Sequence, residues 1–128
     1  MSLTQLDPIE DRVERGAAML DELFKSPKWA TFVNVDELVV GDHRRDVLGQ
    51  IYGNSYHGRA KLGIGEQEAL WGGFKLTYDE VSRLFATLWK RGVRADTHLR
   101  VHDELTLAWR MQVRKRLGED VDAWDHVR

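Results

Sequence analysis

Apolar positions in this chain recur mostly at helical spacing. Ile9, Val13, Ala17, Leu20 and Phe24 fall on one stripe, the pattern of a helix with one buried face. Asp7 is placed to cap that helix, Pro8 suits its first turn, and Glu10 stands three residues after the cap. Ser26-Pro27 predicts the end, because proline drives the preceding residue out of helical conformation. Residues 28–40 keep neither a helical nor a strand period. Phe32 to Val35 suits a short strand and Asp36 to Leu38 a turn of helix, so the expectation is a mostly irregular connection that buries Trp29 and Leu38.

Asp42 reads as the cap of a second helix over about residues 43–56, with Val47, Leu48, Ile51 and Tyr52 on its apolar face. Gly49 and Gly53 share one side of it, which predicts close packing inside the domain. Residues 58–74 are rich in glycine and predict a loop, a short helix over 66–71 and a second loop. Thr77-x-x-Glu80 is a capping box for the next long helix. Val81, Leu84, Phe85, Leu88 and Trp89 form its apolar face and Gly92 ends it. The last helix starts at Asp96 or Thr97, carries Leu99, Val101, Leu105, Ala108, Trp109 and Val113, and ends at Gly118. An acidic tail, residues 119–128, contains Trp124.

The expected fold is therefore mainly α: a single domain over residues 1–128, with four principal helices, one short helix and long Gly-rich connections. Trp29, Leu48, Ile51, Tyr52, Phe85, Trp89, Leu105 and Trp109 are the expected core. At 128 residues the chain can bury a core without staples. It has no cysteine, which removes disulfides, thiolate nucleophiles and cysteine metal sites. No stretch has the pattern of a signal peptide or of a membrane span, so a cytoplasmic setting is expected.

The net charge of −2 excludes little, but its distribution is uneven. Residues 1–24 hold six acids and two bases, whereas residues 89–117 hold eight bases and three acids. The plainer reading is neutralisation between neighbouring elements, with the acidic tail folding back on the basic helix. The sharper one is a DNA-binding pair of helices using Arg91, Arg94, Arg100, Arg110 and Arg114. Asp103 and Glu104 would then face phosphates, which disfavours it.

Catalytic signatures are weak. Gly53-Asn54-Ser55-Tyr56-His57 departs from the Gly-x-Ser-x-Gly elbow at its last position, and no strand precedes it. His98 and His102 have a spacing that can bind zinc, but Leu99 stands where the zincin glutamate belongs and no third ligand is evident. The glycines at 63, 65, 72 and 73 fit no phosphate-binding pattern. No catalytic residue, metal or cofactor is expected.

Several motifs together resemble a group of small actinobacteriophage and actinobacterial proteins. They are Arg12-Val13-x-Arg15-Gly16-Ala17-Ala18-Met19-Leu20-Asp21, Pro27-x-Trp29, Val35-Asp36-Glu37-Leu38, Val47-Leu48-Gly49-Gln50-x-Tyr52-Gly53 and Leu105-Thr106-x-Ala108-Trp109. The group often carries cysteine just before the Val-Leu-Gly-Gln element, where this chain has Asp46. It has no assigned activity, so the resemblance implies a phage or mobile-element setting in a bacterial host and not a mechanism. The resulting expectation is a non-enzymatic phage accessory protein that binds a host or phage protein. The expected surface is the segment 56–74 with the acidic tail, through Tyr56, His57, Trp71, Phe74 and Trp124. A small DNA-binding regulator is the alternative.

Overall fold

The structure, a computed structural model, describes residues 7–118. These residues are mainly helical and include no strand, as the hydrophobic pattern predicts. In chain order the helices are α1 (Ile9–Leu23), α2 (Val47–Tyr52), α3 (Ser55–Leu62), α4 (Glu66–Trp71), α5 (Tyr78–Lys90), α6 (Thr97–Arg100) and α7 (Asp103–Arg116). Two 3-10 turns, Pro27–Phe32 and Val35–Glu37, connect α1 to the rest. That connection buries Trp29 and Leu38 as expected, without forming a strand.

α1 and α7 form the spine. Val13, Ala17 and Leu20 of α1 and Leu105, Trp109 and Val113 of α7 are all buried in one cluster with Trp29, Leu38 and Leu48. Contacts advance along both helices in the same direction: Gly16 lies under the Trp109 ring and Asp21 meets Arg116. Asp21 takes two hydrogen bonds from Arg116 (2.9 and 2.7 Å) and one from the Trp29 indole (2.8 Å). Those Arg116 hydrogen bonds hold its carboxyl below the usual range, against the opposing effect of burial.

Gly16 is the small residue that makes this packing possible. A side-chain carbon there would stand 1.9 Å from the Gly72 carbonyl oxygen. The backbone after α4 therefore lies directly on α1, and the neighbouring Gly73 carbonyl accepts the Trp109 indole N–H at 2.8 Å.

Several helix boundaries differ from the expectation. Asp7 does not cap α1: its carboxylate pairs with Arg15 at 2.8 Å, and its carbonyl accepts from Arg12 Nε. The helix expected over 43–56 is instead α2 and the start of α3, which runs on to Leu62 through residues expected to form a loop. Asp46, not Asp42, caps α2 by accepting from the Gly49 N–H at 2.7 Å, and Asn54 caps α3. Between them Gly53 is left-handed at φ 86°, so its role is conformational and not the close packing expected of it. Gly49 does pack closely: a side-chain carbon there would lie 2.3 Å from the His43 carbonyl oxygen. The last helix is also broken, between α6 and α7, at Val101 and His102.

The largest departure concerns α5. Its capping box is formed as expected, with Thr77 accepting from the Glu80 N–H and Glu80 accepting from the Thr77 N–H. Glu80 is also fixed to α1 by a buried two-point ion pair with Arg12 (3.1 and 2.8 Å). Val81 and Leu84 reach the core cluster. Phe85 and Trp89, expected in the core, are instead 41% and 52% exposed. Ile51 and Tyr52 are half-buried.

Candidate functional site

Two features of this fold are candidates for a function: the outer half of α5, and a cleft beside α2 and α3 lined by apolar and charged side chains. On α5 the Phe85 and Trp89 rings stack at 6.4 Å and 13°. Arg94, from the turn after the helix, lies 3.5 Å above the Trp89 ring and donates to the Trp89 carbonyl at 2.8 Å. The turn itself closes in the Schellman manner, with Gly92 N–H bonding Trp89 and Val93 N–H bonding Leu88. Arg83, Lys90 and Arg91 are exposed along the same arm. The arm thus presents stacked aromatics within a basic rim.

The cleft has a volume of about 200 Å³. Asp46 stands at the start of α2, where burial pushes its carboxyl up to about 6, opposed by hydrogen bonds from the Gly49 N–H and Ser55. Ser55 is placed by its own backbone, whose N–H donates to the His43 carbonyl at 2.7 Å. The His43 ring lies 5.9 Å from that of Tyr56, and Arg59 lies 5.8 Å from Tyr56 on its other contact. Arg59 and Lys75 both pair with Glu66, the first at 3.6 Å. His102 closes the cleft against Gly41, its Nδ1 3.1 Å from the His98 carbonyl. Burial holds the His102 imidazole below its usual range, so it is neutral near pH 7. Among the described residues no group of three acids or histidines is placed to hold a metal ion.

The residues expected to bind protein are not gathered on one surface. Tyr56 and Phe74 line the cleft. His57 faces the Tyr52 ring at 6.3 Å. Trp71 lies elsewhere, beside Met19 and under Arg15, whose guanidinium sits 4.8 Å from its ring. Trp124 and the proposed folding back of the acidic tail lie outside the described residues.

The expected basic surface is divided as well. Arg91, Arg94 and Arg100 are exposed on the α5–α6 arm. Arg110 instead donates to the Leu38 carbonyl (3.3 and 2.9 Å), and Arg114 stands 3.9 Å from Asp36. With Arg116 on Asp21, three of the eight bases in the block bond neighbouring elements, and two of those, Arg114 and Arg116, pair with acids as the plainer reading of the charge has it.

No family model, no curated protein and no solved structure matches this chain. No described helix is long and apolar enough to cross a membrane.

Proposed function

We propose that the protein acts by binding another protein, with the outer face of α5 as the contact surface. The observation that carries this is an amphipathic helix whose outer aromatics are left uncovered among the described residues: Phe85 and Trp89 lie on the expected stripe yet stay exposed. A helix of this kind docks in an apolar groove by residues at helical spacing, here Phe85, Leu88 and Trp89. Arg83, Lys90, Arg91 and Arg94 around it favour a groove with an acidic rim. Tryptophan and arginine are also the residue types that most often dominate such contacts. The resemblance described above supports a phage accessory role in the cytoplasm of a bacterial host. This reading moves the contact surface away from the segment 56–74 and keeps the expectation of a binding protein.

The test is affinity capture from an actinobacterial lysate, with and without nuclease, by the wild-type chain and by a Phe85→Ala/Trp89→Ala double variant. The expected result is a protein retained in both nuclease arms by the wild type and lost from the variant. Equal retention by the variant overturns the assignment of α5. Recovery only without nuclease moves the function to nucleic acid and to Arg91, Arg94 and Arg100. Sedimentation velocity on the two pure proteins identifies the remaining occupant: a dimer present only in the wild type makes a second copy the partner.

A further inference from the structure

The cleft is independent of α5 and has a different chemistry. One side is cationic, with Arg59 and Lys75 from separate elements. The lining also has an apolar part in Phe74 and Trp109, whose rings are 5.0 Å apart. Ser55 and His43 add hydrogen-bonding groups to the lining. A small concave site with an apolar wall and a few convergent polar groups is the usual form of a small-molecule pocket.

Lys75 is paired closely with Glu66, whereas Arg59 is held loosely. Arg59 Nε is buried with no hydrogen-bond partner, and its pairing with Glu66 is long at 3.6 Å. Glu66 must also serve Lys75, and its own side chain is largely exposed. A buried guanidinium N–H without an acceptor is costly, so Arg59 gains by turning onto one. Asp46 is not competing for it: that carboxylate is engaged by the Gly49 N–H and the Ser55 hydroxyl. The cavity of about 200 Å³ admits only a small molecule.

We propose that this cleft binds a small organic anion, its carboxylate or phosphate on Arg59 and Lys75 and its apolar portion against Phe74 and Trp109. The two anion sources share this chemistry and differ in charge and shape. A carboxylate matches the guanidinium edge of Arg59, and a phosphate draws more on Lys75 as a point charge.

The experiment is amide and indole NMR of the whole chain during titration with benzoate, acetate and inorganic phosphate, each against sodium chloride at matched ionic strength. Saturable shifts at Gly41, Ser55, Lys75 and the Trp109 indole are expected. Benzoate binding tighter than acetate assigns the apolar wall, and phosphate binding tighter than both identifies a phosphate as the natural head group. Arg59→Gln should weaken binding roughly tenfold, the scale of one lost charge-assisted hydrogen bond. Lys75→Gln, at the rim, serves where the first variant does not fold, and weakens binding in the same direction. Shifts that do not saturate, that chloride reproduces, or that neither variant alters overturn the proposal.

Discussion

α7 and α5 carry similar sequence signals and meet opposite fates. Each has an apolar stripe with a tryptophan on it, Trp109 in one and Trp89 in the other. Trp109 is 1% exposed, lies edge-on to Trp29 at 6.3 Å, and gives its indole proton to Gly73. Among the described residues the ring partners of Trp89 are Phe85 and Arg94, both on its own arm. An amphipathic pattern establishes that a helix has an apolar face. It does not establish what covers that face. In α7 the cover is α1, made accessible by Gly16 and by the bare backbone of Gly72 and Gly73. For Phe85 and Trp89 of α5 the described residues supply only a partial cover.

Trp109→Ala should have the largest effect on this contrast. It removes a fully enclosed ring and leaves the Gly73 carbonyl without its donor, a loss of about 4 kcal/mol. Urea denaturation followed by circular dichroism measures it. A loss no larger than that of an α5 aromatic would dissolve the distinction between the two helices.

Glu80→Gln tests the joint between the arm and the spine. It leaves Arg12 buried opposite a neutral amide, a loss of about 3 kcal/mol. Burial raises the Glu80 carboxyl, but the Arg12 and Thr77 hydrogen bonds outweigh it and hold it below the usual glutamate range. The wild-type contribution is therefore complete above the unfolded glutamate pKa and fades as pH falls through the lower folded one. Asp21 behaves in the same way through Arg116. The variant should show a flatter loss of stability in acid, and an unchanged acid limb would remove the Arg12–Glu80 pair as its source.

Asp46→Asn should act in the opposite direction. The carboxyl titrates at about 6 in the folded chain against an ordinary value of 3.8. Between those values the folded state holds more protons than the unfolded one, so stability falls as pH rises through that window and the penalty is full above it. The amide removes the charge and keeps an oxygen for the Gly49 N–H. The variant should match the wild type at pH 4 and exceed it by about 2 kcal/mol at pH 7. A constant difference across that range would show that burial does not govern this carboxyl.

What the chain reveals before folding follows the same division. Thr77-x-x-Glu80 and the glycine after α5 act over a few residues, and both are legible and formed. The break at Gly53-Asn54 also has a local signal, a helix-ending glycine followed by a capping residue. Ile51, Tyr52 and Tyr56 keep an apolar pattern across it, which masks that signal. Asp46 has a local signal too, an acid three residues before Gly49 at the start of an apolar stripe. The cleft has none: His43, Arg59, Lys75 and His102 come from separate segments, and only tertiary packing brings them together. Tyr56 and Phe74 stand out by residue type alone, and their spacing gives no sign that they face the same space.

The smallest effect on stability is expected where the largest effect on binding is. Phe85→Ala and Trp89→Ala should each change unfolding free energy by less than about 1 kcal/mol, since neither ring fills a cavity whose loss would be felt. Trp89→Ala also removes the surface on which Arg94 lies, worth about 0.5–1 kcal/mol at an exposed site. An aromatic pair that adds this little to the fold fits the proposed contact surface. Losses near those of Trp109→Ala would mean that the arm folds onto the spine in solution, and the binding surface would then have to be sought elsewhere. A small loss of stability together with loss of the captured partner separates the role of α5 from that of α7.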